Sequence, residues 1–360
     1  MGRAIPKNNF EFLRLIFAVF VLVSHSYELA GQSWFDFLDA RTNLQIGFSY
    51  IGVRGFFIIS GYLVFQSLLR SKDLVDYLWK RILRIFPGLI VVLVLTVLLG
   101  AIVYEGAPGT YWQNLDVWTY IPRNAMLYPL QPAIDGVFRS NVYPNVVNGS
   151  LWTICYEFTC YLGLALLFFV RRRSIWLIRI LLLGVFLISA IACVLYFWEL
   201  RKYWFFINAG ELSEFVAFFL GGALLATFHY ERFKYMNTVT LLAIVVIVAS
   251  VLLGFYRSGF HFVFMPFVVI GFGLQSTRYL RDIGEKIGDI SYGIYIYGFL
   301  VQQTLMHFFK LDYISLFFAT VPITLVLGYA SWHLIEKRAL KYKNWRPTGW
   351  LERKLGILKG

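Results

Sequence analysis

An arginine and a histidine bracket ten apolar or small residues in "RLIFAVFVLVSH", residues 14–25. The run around them is long enough to cross a membrane, where an ionisable side chain is costly and marks a functional site by default. Arg14 and His25 are eleven positions apart. At about 100° and 1.5 Å per residue they share one helix face, roughly 16 Å apart along the axis. Glu11, one turn before Arg14, can pair with it. Two further ionisable groups, Arg54 and Glu157, each lie about two turns inside an apolar run of their own. Where these runs enter from the side at which the first one leaves, His25, Arg54 and Glu157 fall in one layer. A histidine beside a carboxylate is held in one tautomer and made more basic, which suits a general base. A satisfied interfacial histidine is the alternative. A second cluster, "KRILRIFP" (80–87), puts Lys80, Arg81 and Arg84 at the start of the third run. Arg81 and Arg84, three apart, share a helix face, and arginine forks and helix starts both suit phosphate. Ordinary membrane-surface charge or lipid headgroup contact is the competing explanation.

The elements that must position these groups follow from composition. Of 360 residues 59% are hydrophobic and only 15% charged, whereas soluble domains are about a quarter charged. The sequence predicts an all-α, polytopic membrane helix bundle. Ten runs are long and apolar enough: 10–29, 47–69, 85–104, 151–170, 175–197, 211–229, 238–254, 260–276, 290–309 and 313–335. Orientation comes from Lys and Arg. With the N-terminus in the cytoplasm, 24 of the 33 fall in cytoplasmic segments, seven in outer ones, and Arg14 and Arg54 inside spans. Ten spans with both termini cytoplasmic fit that count. The net charge of +13 is then topology, and nucleic acid is not an expected partner. Cys155, Cys160 and Cys193 lie in apolar stretches without ligand spacing and read as small buried hydrophobes, so no metal site is expected.

Residues 1–343 read as one transmembrane domain and 344–360 as a short basic cytoplasmic tail that anchors to the inner membrane surface by charge. The outer segment 105–149 carries five of the ten prolines, with Trp112, Trp118, Tyr128 and Tyr143 among its aromatics. It shows no helical period and reads as an irregular loop, a candidate lid over an acceptor.

Several stretches together resemble the acyltransferase-3 family of integral membrane O-acyltransferases. The Arg14–His25 pair resembles its first-span signature, and "GVRGFFIISGYL" (52–63) its second-span motif. "RILR" (81–84) resembles its arginine pair, and "NGSLWTICYEFTCYL" (148–162) its Ser-Leu-Trp segment with a following Glu. "ISYGIYIYGFLVQQ" (290–303) and "SWHLIEKRALKYK" (331–343) resemble its closing segments. Two departures stand out. Tyr297-Gly298-Phe299-Leu300 lacks the family's histidine or proline, and Arg338 follows the Ile-Glu-Lys stretch where proline is common.

The resemblance implies transfer of an acyl group, commonly acetyl, from cytoplasmic acyl-CoA to a sugar hydroxyl of an exopolysaccharide, lipopolysaccharide or other glycan at the outer face of the inner membrane. It implies a stand-alone form without a hydrolase-like C-terminal domain. His25 would be the general base or transient acyl carrier and Glu157 its partner. Arg14 would support the donor channel, and Arg81 and Arg84 would hold the CoA phosphates. Arg54, Ser150, Trp152 and Tyr292 would line the acceptor path. Membrane lipids and the glycan are the expected partners. The residues alone also permit an exporter of an acidic or glycan-linked substrate.

Overall fold

The computed structural model describes residues 7–171, 174–196, 199–200, 202–204 and 206–345. Arg3, Arg172, Arg173 and Arg201 of the charge count, and the basic tail beyond Trp345, lie outside the described residues. The described residues are mostly helical. In order the helices are α1 (Phe10–Leu29), α2 (Phe37–Arg41), α3 (Phe48–Arg70), α4 (Leu74–Gly100), α5 (Leu115–Ala125), α6 (Trp152–Ala165), α7 (Ile175–Tyr196), α8 (Ala209–Thr227), α9 (Met236–Leu252), α10 (His261–Gly273), α11 (Ile283–Ile287), α12 (Ser291–Phe309) and α13 (Tyr313–Ser331). Among the described residues one short hairpin, β1 (Tyr203–Trp204) with β2 (Ile207–Asn208), precedes α8.

Each of the ten apolar runs contains a helix, and among the described residues seven helical stretches are long and apolar enough to cross a membrane. The other three differ for identifiable reasons. α9 and α10 have only 17 and 13 residues. α12 is long but comparatively polar, because it faces protein rather than lipid: Gln302 and Gln303 are fully buried. Gln302 donates to Leu22 O at 3.0 Å and Ser26 Oγ at 2.7 Å. Gln303 donates to Tyr143 O and Val146 O at 2.8 and 2.7 Å, tying the 105–149 segment to the bundle.

α3 is the central strut, packed on α1 and α8. Glycine makes this possible. A Cβ at Gly61 would lie 1.8 Å from Phe219 O, and one at Gly222 2.0 Å from Ile58 O. Backbones meet this closely in membrane bundles only where side chains are absent.

Two local expectations are corrected. α4 begins at Leu74, with Asp73 capping Asp76 N at 2.7 Å. Lys80, Arg81 and Arg84 therefore lie inside the helix, and the anion-attracting helix start is not beside them. The 105–149 segment is irregular over most of its length but not throughout. It contains α5, capped by Asn114, with Val117, Tyr120 and Asn124 buried on one face. Pro122 within that helix hid its period from a sequence reading.

Candidate functional site

A cavity of about 460 Å³ runs into the bundle among α1, α3, α4, α6 and α12. It follows α3 from Arg70 to Val53, about 25 Å at 1.5 Å per residue. Arg70, Lys80, Arg81 and Lys343 surround its mouth. Lys80 is neutralised by Asp76 at 2.8 Å. Among the described residues Arg70, Arg81 and Lys343 have no ion pair. Arg81 bonds only Ser67 Oγ, at 3.2 Å, and its buried Nε has no partner.

Midway sits a charge knot. Asp289 Oδ2 accepts from Arg14 Nη1 at 2.8 Å and from Arg84 Nη2 at 2.7 Å, while Oδ1 accepts from Ser291 Oγ at 2.8 Å. Burial works against an ionised Asp289, but Arg84 and Arg14 outweigh it and hold the carboxyl down at about 2. Glu336, held by Ser331 at 2.8 Å, lies 4.0 Å from Arg84 Nη1. It belongs to a π-helical turn, Trp332–Glu336, that extends α13; such turns recur at functional sites. Gly288, at φ +88°, leaves room for the Trp332 ring, which a Cβ would approach to 2.1 Å. That close approach sets Asp289 in place. Arg14 thus pairs with Asp289 rather than with Glu11.

Level with the middle of the α3 wall, Glu157 accepts from Ser60 Oγ at 2.6 Å and Tyr161 OH at 2.5 Å. Nearer Val53, Tyr295 bonds Thr153 Oγ1 at 2.6 Å, and its ring meets Phe56 at 5.7 Å, closing the inner end. Tyr292 donates to Ile85 O at 2.9 Å.

The structure therefore brings Arg14, Arg81, Arg84, Glu157 and Tyr292 into one cavity. It does not bring His25, Arg54, Ser150 or Trp152 there. Glu157 is not hydrogen-bonded to His25. His25 instead packs edge-on against Phe299 at 5.1 Å, with its Nδ1 buried and unpartnered. Phe299 is one turn beyond Tyr295 on α12, about 6 Å, so His25 lies just past the closed end. Tyr143 of the 105–149 segment contacts the same Phe299 ring at 6.0 Å. Arg54 departs for a helical reason. Val53, Phe56, Phe57 and Ser60 follow the 3–4 spacing of the cavity face, and Arg54 is about 100° around from Val53. It meets α8, donating to Glu214 Oε2 at 2.7 Å and lying over Tyr50 at 4.3 Å. Trp152 is likewise off the α6 cavity face, against Tyr156 and Phe215. Ser150 is buried with an unpartnered Oγ in the turn Gly149–Leu151, which Asn148 caps.

Sequence reasoning missed Asp289, Ser60, Tyr161 and Glu336. Ser60 and Tyr161 were accessible in principle, seven residues from Val53 and four from Glu157 on the same faces. Asp289 lies between helices, where no period points to it.

The comparisons bear directly on this arrangement. A family model described as an acyltransferase domain matches residues 7–333, from before Arg14 to the π-helical turn beside Arg84. The chain belongs to this acyltransferase family. It is 28% identical to an O-acetyl transferase of Shigella phage Sf6, over 93% of this chain and 96% of the relative. It is 30% identical to nodulation protein 10 of Rhizobium leguminosarum bv. viciae, over 98% of this chain and 97% of the relative. No solved structure matches the chain. This acyltransferase is thus an enzyme, and its apolar helices make it a multi-pass membrane protein.

Proposed function

We propose that this acyltransferase moves an acetyl or other short acyl group from acyl-CoA at the basic mouth to a sugar hydroxyl presented at the opposite end. The acceptor is a cell-surface or exported glycan. The observation that carries this reading is one cavity, which runs from uncompensated cations at the mouth to within about a helical turn of His25. The relatives' names, an O-acetyl transferase and a nodulation protein, support acyl transfer to oxygen. On this reading ten helices span the cytoplasmic (inner) membrane with both termini inside, so the mouth faces the cytoplasm. The distribution of Lys and Arg supports that orientation.

The residues at the mouth fit the donor. The unpartnered buried Nε of Arg81 is a donor that a phosphate oxygen would satisfy, and guanidinium–phosphate bonds are among the strong ones. Acyl-CoA supplies the thioester-activated acyl group. Arg81, with Arg70 and Lys343, holds its phosphates. Arg14 and Arg84, committed to Asp289, shape the passage rather than bind. His25 takes the hydroxyl proton as the oxygen adds to the acyl carbon, a contribution of about 10²–10⁴-fold for a general base. The C–S bond then breaks, and CoA leaves as the free thiol with the proton that His25 took. Phe56 and Tyr295 must turn aside for the acyl group to pass. The 105–149 segment, tied down by Gln303, presents the acceptor.

Glycan mass and O-acetyl content in a deletion strain, with and without the gene restored, test the acceptor and acyl group together. Restoration with His25→Ala should give normal membrane accumulation and no acylation. Substantial acylation by that variant rules out the role of His25. Label trapped on the protein without acceptor would mean that His25 first carries the acyl group itself.

A further inference from the structure

A second cavity, of about 380 Å³, lies away from the catalytic one, on the outward face of α8 between α7 and α10. Trp176 and Leu183 of α7, Gly221 and Phe228 of α8, and Val263 and Pro266 of α10 line it. Its floor is the close approach of α8 to α10, since a Cβ at Gly221 would lie 2.7 Å from Pro266 Cγ. Apart from one residue, its lining side chains are hydrocarbon or aromatic. The exception is Arg179.

Arg179 is held at one end of this groove. Its Nη2 donates to Thr227 O at 2.7 Å, a carbonyl in the last turn of α8 that lacks a helical partner. Its guanidinium lies over the rings of Trp176 at 4.8 Å and Phe228 at 4.3 Å. Among the described residues no carboxylate is within ion-pair distance of it, and its Nε is without a partner. One N–H suffices to cap Thr227. The remaining fork and the full positive charge are left without a counter-ion, at the edge of an apolar slot.

The end at which Arg179 sits is also defined. α3 and α8 run in the same direction, since Arg54 pairs with Glu214 and Tyr62 with Glu231. The last turn of α8 is therefore level with Arg70 and the basic mouth. Arg179 lies at the membrane surface from which the catalytic cavity opens.

We propose that this groove binds a single anionic phospholipid, one acyl chain lying between α7 and α10 and the headgroup phosphate on Arg179. The walls of the slot are apolar along its length, from Phe186 to the single cation at Arg179, and one extended hydrocarbon chain with a charged end matches that lining. Arginine suits phosphate through paired N–H bonds. The absence of a nearby carboxylate gives a net negative lipid the advantage over a zwitterionic one.

Native mass spectrometry of the full chain, released from nanodiscs of equimolar phosphatidylglycerol and phosphatidylcholine, tests this. The wild type should retain one phosphatidylglycerol about five-fold more often than phosphatidylcholine, the ratio expected for one basic residue at an anionic lipid surface. Arg179→Gln, which can still bond Thr227 O, should bring the ratio to about one, and Arg179→Lys should keep it. Val263→Trp, which fills the slot, should lower retention of both lipids. Equal retention by the wild type, or an unchanged preference in Arg179→Gln, overturns the proposal. So does loss of the bound lipid to millimolar inorganic phosphate, which would make this an anion site rather than a lipid site.

Discussion

Replacing Asp289 by Asn removes the charge on which two arginines converge. Asp289 is 12% exposed, and Arg14 and Arg84 are 19% and 23% exposed, so solvent screens the group only weakly. Arg84 and Arg14 hold the carboxyl below its ordinary range against the opposing effect of burial, so the charged form is the favoured one. Breaking a buried pair by removing one partner typically costs about 3–5 kcal/mol. A loss of about 2–4 kcal/mol is therefore expected, because the neutral Asn amide can still accept hydrogen bonds but leaves two cations facing each other without a counter-charge. The sign is definite. A depressed acid contributes its full stability above about pH 4 and loses it as the pH falls towards 2. At neutral pH the whole effect is present. The assay is the thermal midpoint of detergent-solubilised protein by size-exclusion fluorescence, with acyl transfer measured in parallel at saturating donor. Asp289→Asn should lower both, and Asp289→Glu should recover most of the midpoint. An Asp289→Asn protein with wild-type midpoint and wild-type turnover would refute the reasoning, because Arg14 and Arg84 would then not depend on this carboxylate.

Arg81→Gln should raise KM for acyl-CoA about ten-fold or more with little change in midpoint, because its guanidinium has no ion pair to lose; steady-state kinetics at varied donor checks this. Arg84→Gln should behave oppositely, lowering the midpoint more than it raises KM, since its guanidinium is spent on Asp289. Gln303→Leu removes three side-chain bonds to the 105–149 segment, those to Tyr143 O, Val146 O and Asn141 Nδ2; each is worth about 1 kcal/mol, so KM for the acceptor should rise several-fold while donor KM stays put. Gly61→Ala places a methyl where Phe219 O already lies, and the protein should fail to accumulate in the membrane, or lose at least about 1–3 kcal/mol by the same fluorescence midpoint.

The sequence by itself determined the class of molecule and most of its elements. Hydrophobic runs of about 20 residues have few other uses, and every one of them contains a helix. Period also placed Arg14 and Glu157 within their helices, whereas Arg81 and Arg84, expected at a helix start, lie inside α4; the ordered motifs carried the family. What period could not supply was which face of each helix meets which neighbour. Glu157 meets Ser60, six residues and about 9 Å along α3 from Arg54, so these two do not share one layer. A rotation of about 100° on α3 also sends Arg54 to Glu214, while Ser60 and Tyr161 take Glu157. Tertiary packing alone decided that Asp289, in a turn without period, would be the counter-ion of both Arg14 and Arg84. It alone decided that α12 would be buried despite its glutamines, because their amides satisfy backbone carbonyls of α1 and of the 105–149 segment. It also left His25 one helical turn from the cavity that its spacing from Arg14 had suggested it would share.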